Sequence, residues 1–114
     1  MQRLRNRIIE ILDTFSNEEC IEKIGTGEII EQWYDYVDED RLDSYGLPIF
    51  SNEELKALRR FHNLLEKSYQ KVPETWALND LSGNKEWNIL VYSAKEELKI
   101  FQKRGRMDEE NEIT

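Results

Sequence analysis

Residues 86–105 read EWNILVYSAKEELKIFQKRG, and the fold class turns on how this stretch is taken. Its opening, Ile89 to Tyr92, is the longest apolar run in the chain and is short enough to be a buried strand. The continuation favours a helix. Trp87, Leu90, Val91, Ala94, Leu98 and Phe101 recur at three- and four-residue intervals, and Gly105 stands where a helix would stop.

The same rhythm extends outward from this stretch. Residues 52–71 place Leu55, Leu58, His62, Leu65 and Tyr69 in one stripe with Phe61 and Leu64 beside it, and Pro73 limits the helix. PETWALNDLSGN, residues 73–84, is a connector with room for one helical turn around Trp76. Nearer the N-terminus, Leu4, Ile8, Ile11, Leu12 and Phe15 mark a helix over 2–14. The pentapeptide FSNEE occurs at 15–19 and again at 50–54. Each copy has the form of a capping box, Ser16 with Glu19 and Ser51 with Glu54, preceded by a Phe that can staple onto the new helix. A short helix from Ser16 should end at Gly25, and Thr26 should cap a third helix over 27–38. Residues 39–49, with Gly46 and Pro48, read as a loop. The expectation is all-α: a compact bundle of four to five helices forming one domain over 1–105, with a disordered acidic tail over 106–114.

A chain of 114 residues suits one domain, and its three Trp, five Tyr and four Phe supply a core despite 35% charged residues. Cys20 is the sole cysteine, so no intrachain disulfide forms, and it reads as a small buried group in a reducing compartment. No signal-peptide pattern opens the sequence, and no apolar run approaches the roughly 20 residues that cross a bilayer. The expected location is the cytoplasm, away from membranes. A net charge of −8 argues against direct nucleic-acid binding. The acidity is concentrated, since residues 16–54 carry twelve acids against Lys23 and Arg41, whereas 55–104 carry ten bases and six acids.

Candidate chemistry is sparse. His62, the only histidine, shares the apolar stripe of Leu58 and Leu65 and reads as a core or core-edge residue, with neither nucleophile nor orienting partner at a supporting spacing. One Cys and one His cannot build a structural zinc site. A calcium loop starting at Asp38 would need Gly where Asp43 stands and Glu where Ile49 stands. GTG at 25–27 lacks the rest of a phosphate-binding loop. No enzyme activity, metal or cofactor is expected.

EQWYDYVDEDRLDSYGLP, residues 31–48, is different in kind. On a helical wheel Ile29, Ile30, Trp33, Tyr36 and Val37 share one arc with Tyr34 at its border, and Glu28, Glu31, Asp35 and Asp38 share the opposite one. The helices over 52–71 and 85–104 interleave acids and bases on their outer faces, but this one does not. Like charges at i,i+3 and i,i+4 cost a few tenths of a kcal/mol per pair. A one-signed face held at that cost is either a solvated surface or a dock for a basic protein, whose approach its field would speed. The candidate contacts are Trp33, Tyr34, Asp35, Asp38, Glu39, Asp40, Asp43 and Tyr45, with Trp33 equally suited to the core. The basic proteins such a chain would meet include nucleases, whose phosphate-binding sites a row of carboxylates can imitate.

YGLPIFSNEELKALRRFHNLLE at 45–66, then Trp76, then WNILVYSAKEELKIFQKRG at 87–105, resembles small bacterial immunity proteins in build and helix rhythm, over about residues 28–105. These are the cytoplasmic antidotes encoded beside contact-dependent inhibition and other polymorphic toxins. The resemblance implies a non-enzymatic protein that binds and neutralises a cognate toxin, often a nuclease domain. The alternative is a helical adaptor or regulatory protein binding another basic partner.

Overall fold

A computed structural model describes residues 1–110, which form six helices and, among those residues, no strand. The deciding stretch is helical: α6 runs Lys85–Gln102, its first turn capped by the Asn84 side chain, which accepts from the Trp87 N–H at 2.8 Å. Trp87, Leu90, Ala94, Leu98 and Phe101 face inward while Ile89 and Tyr92 face out. That is a three-to-four-residue period, and it excludes the alternation of a strand.

α1 (Gln2–Ser16) packs against α2 (Glu18–Tyr36) and α6, and α4 (Asn52–Ser68) packs against α6. Their shared interior is aromatic at its centre. Phe61 meets Phe15 edge-on at 5.0 Å between ring centres and Trp33 at 4.7 Å, an arrangement that adds to the gain from burying the rings. α4 ends in a 3₁₀ turn at Tyr69–Lys71, so the stripe expected to reach residue 71 tightens before Pro73.

α2 carries a break at Gly25, where φ is +80° and ψ is 160°. Gly25 interrupts the helix as expected, but Thr26 does not cap the segment after the break. Its hydroxyl donates to the Pro73 carbonyl at 2.7 Å and accepts from the Thr75 N–H at 3.0 Å, tying the kink to the connector after α4. The Trp76 ring lies so close that a Cβ on residue 25 would stand 2.8 Å from it. Only glycine meets both the backbone angle and the contact.

Three further expectations change. Residues 39–49 are not all loop, because α3 occupies Glu39–Ser44 and Asp38 serves as its cap, accepting from the Arg41 N–H at 2.8 Å. The helical turn expected around Trp76 falls after it instead, as α5 at Leu78–Ser82, so the helices among the described residues number six and not four to five. The acidic tail is held back against α1 over residues 106–110. Asn6 exchanges two hydrogen bonds of 2.8 Å with the Met107 backbone, and Glu109 lies 3.2 Å from the Arg3 guanidinium. The rest of the expected tail, 111–114, lies outside the described residues.

The FSNEE copies diverge. At the second, Ser51 and Glu54 form the full capping box, and Glu54 is 1% exposed. Arg5, itself buried, reaches this carboxylate at 2.6 Å and Arg104 at 3.1 Å. Arg5 also donates to the carbonyl of Gly105. At the first copy Ser16 remains in α1, its hydroxyl donating to Leu12 O at 2.9 Å, and Asn17 caps α2.

Candidate functional site

The eight residues of the acidic segment disperse into four settings. Trp33 and Tyr45 belong to the core, not to a contact surface. Trp33 is 0% exposed, one turn beyond Ile29 on the inner stripe, and its Nε1–H points inward to donate to His62 Nδ1 at 3.1 Å. Tyr45 follows α3, which turns the chain so that its ring stacks on Phe50 at 5.0 Å and its hydroxyl donates to the Tyr36 carbonyl at 2.5 Å. Asp35 faces the other way, into a furrow between α1 and α2 that Glu28, Arg7 and Glu10 also line. Asp43 is exposed and pairs with Arg59 at 2.8 Å.

Tyr34, Asp38, Glu39 and Asp40 come together. They form one wall of an open groove of about 790 Å³, and His62, Asn63, Glu66 and Lys67 of α4 form the other. α3 makes this possible: its cap at Asp38 turns the chain after α2, so three consecutive acids line the edge facing α4. Arg41 is held outside the groove lining, 3.3 Å from Asp38 Oδ2 and donating to the Asp35 carbonyl. Glu39 and Asp40 are exposed and take part in no ion pair among the described residues.

The groove floor is aromatic and polar. Tyr34 sits edge-on to His62, with ring centres 5.8 Å apart. Because Trp33 donates to Nδ1, the neutral imidazole carries its hydrogen on Nε2. Nε2 lies 3.3 Å from Glu66 Oε1 without the alignment of a hydrogen bond. Among the described residues, His62 Nε2 and Tyr34 Oη are the buried side-chain polar atoms that lack a hydrogen-bond partner. Burial, then the charge of Glu66 and a side-chain hydrogen-bonding interaction with it that falls short of full bonding geometry, push the Tyr34 phenol up to about 12, so it remains a donor at neutral pH.

Glu66, Asn63 and Lys67 are groove residues that the sequence does not announce, because α4 reads as a mixed-sign surface helix over a core stripe. The available signal is His62 on the apolar stripe with Glu66 four residues later, a spacing that stacks the two on one face. Cys20 lies in the first part of α2 and does not line the groove. Among the described residues no group of three or more His, Cys, Asp and Glu side chains converges as a metal site, and no helix is long and apolar enough to cross a membrane.

Comparison with models of protein families, with curated proteins and with solved structures finds no match.

Proposed function

We propose that the chain is a cytoplasmic, non-enzymatic immunity protein that binds and neutralises a cognate basic toxin, most simply a nuclease domain, through the acidic corner formed by the end of α2 and α3. The observation that carries this reading is the exposed, unpaired state of the Asp35, Glu39 and Asp40 carboxylates among the described residues. On α1, α4 and α6 Glu10, Glu53, Glu54, Glu96 and Glu97 each hold a cation of the same chain, whereas the exposed Glu18, Glu19, Glu22, Glu28 and Glu31 of α2 share the unpaired state of these three among the described residues, so the acidic surface runs along α2 into α3. Carboxylates not engaged in ion pairs project a negative field, which steers a positive partner and weakens with salt. The resemblance to immunity proteins in build and helix rhythm supports the choice of a toxin as that partner.

Co-expression with the product of the adjacent upstream gene, followed by a pull-down, tests the reading. Capture should be lost or reduced at least tenfold in Asp35→Lys/Glu39→Lys, a pair that leaves the Asp38 cap intact, with the helical circular dichroism spectrum unchanged. Full capture by that variant, or a complex indifferent to salt, would overturn the docking site. Specific, salt-sensitive capture of a basic protein encoded elsewhere would instead make the chain an adaptor.

A further inference from the structure

Resting on the docking reading, we propose that the groove between α3 and α4 is an arginine pocket: a guanidinium from the basic partner bridges Glu66 and Asp40, and the Glu66 carboxylate closes onto His62 Nε2–H and Tyr34 Oη–H. The starting point is the pair of unfilled donors. The His62 side chain is 2% exposed, its tautomer is set from behind by Trp33, and its Nε2–H has no acceptor in bonding geometry among the described residues. A buried donor without an acceptor is costly, so the arrangement favours any state that supplies one.

Glu66 is the group placed to do so. Its carboxylate oxygen is already 3.3 Å from Nε2, but the side chain is 46% exposed and remains largely in water. Moving the carboxylate fully onto the two donors withdraws a charge from solvent, which is unfavourable unless a cation accompanies it. The opposite wall shows what should come with it. Asp38, Glu39 and Asp40 face Glu66 across the groove, and Lys67 is the one cation among the described lining residues. Arg41 is engaged with Asp38 and the Asp35 carbonyl and does not enter.

Arginine fits this geometry better than lysine. Its planar fork presents five N–H donors and can bind carboxylates on two walls at once, and its flat face suits the Tyr34 ring, whereas an ammonium is a strongly hydrated point charge. Glu66 thereby becomes a positioning and specificity residue that the acidic row on α2 and α3 does not contain.

The probe is N-acetyl-arginine N-methylamide, titrated into the ¹⁵N-labelled full chain while the indole Nε1–H signal of Trp33 is followed, assigned by its absence in Trp33→Phe. Because that proton bonds to His62 inside the core, it responds to events at the pocket floor and not to general surface charge. A saturable shift is expected, together with slowed exchange of the His62 Nε2 proton. The response should fall at least fivefold in Glu66→Gln and be absent for the neutral citrulline analogue. An equal response from Glu66→Gln, from citrulline, or from the lysine analogue would overturn the pocket, as would no response at all. In the pull-down with the upstream product, normal capture by Glu66→Gln alongside loss in Asp35→Lys/Glu39→Lys removes the pocket and leaves the docking face standing. Normal capture by both variants removes both.

Discussion

The two FSNEE segments are the same five residues with different fates. At 50–54 the chain arrives extended, with Ser51 at φ −73° and ψ 163°, and both halves of the capping box close. At 15–19 α1 is still running, so Ser16 has helical neighbours on its N-terminal side and the extended residue is Asn17, at φ −113° and ψ 110°. Asn17 then accepts from the Glu19 N–H at 3.0 Å, and Glu19 is left in solvent. The capping signal marks a helix start to within one residue, but the preceding element selects the cap. The larger difference concerns the last residue of the motif: Glu54 is enclosed by two arginines from distant parts of the chain, and Glu19 by none.

The strongest way to break this comparison is to remove the enclosed carboxylate. Glu54→Ala leaves the buried Arg5 guanidinium without its acidic partner and opens the capping box, and loss of one member of a buried pair costs about 3–5 kcal/mol. Urea denaturation should show that loss. The same substitution at Glu19 should change stability by less than about 0.5 kcal/mol, as for an unpaired surface residue. A smaller effect at 54 than at 19 would mean that the Arg5–Glu54–Arg104 cluster contributes nothing net.

Acid sharpens the contrast without mutation. Burial by itself would raise the Glu54 carboxyl, but the Arg5 guanidinium, the Ser51 N–H and the Arg104 charge together hold it below its ordinary 4.5. A carboxyl depressed on folding contributes stability that is present above the unfolded value and lost as pH falls through the folded one. Stability of the natural chain should therefore drop as the solution is taken from about pH 5 toward about pH 2, the usual range of carboxylate titration. In Glu54→Gln the part of that slope due to residue 54 should disappear. An unchanged slope would assign the acid sensitivity to other carboxylates, such as Glu10 and Glu109, which their arginine and asparagine partners also hold low.

The legibility of the sequence divides in the same way between local and distant causes. The helical nature of 86–102, the stripe of α4 and the break at Gly25 depend on periodicity and backbone preference, and are readable from neighbours in the chain. Thr26 departs from its expected capping role because its partners, Pro73 and Thr75, are remote in sequence. Tyr45 leaves the expected contact surface because α3 replaces a loop, and it is α3 that swings the ring onto Phe50. The acidic row is visible as a row, yet the wheel cannot show that Asp35 turns toward α1 while Asp38, Glu39 and Asp40 turn toward α4. Nor can it show Glu66 across the groove, since that proximity is set by helix packing.

The caps themselves give a smaller contrast. Ser51→Ala should destabilise by about 1 kcal/mol, because the hydroxyl accepts from the Glu54 N–H and orients a carboxylate that the two arginines need. Asn17→Ala should lie nearer about 0.5 kcal/mol, at the lower end for caps, since the exposed Glu19 N–H it satisfies can turn to water.

Ser16→Ala is the smallest and most discriminating change. If the first motif capped as its letters suggest, losing the hydroxyl would cost as much as Ser51→Ala. In the fold, Ser16 is the last residue of α1 and donates to the Leu12 carbonyl at 2.9 Å, a bond from within the helix that does little for stability. Alanine is the better helix former by a few tenths of a kcal/mol, so the variant should be within about 0.5 kcal/mol of the natural chain and on the stabilised side if it moves. Measured beside Ser51→Ala under identical denaturant conditions, a loss of about 1 kcal/mol at both serines would restore the symmetry of the two motifs. A loss confined to Ser51 would show that identical residues become a cap only where the chain has already left its previous helix.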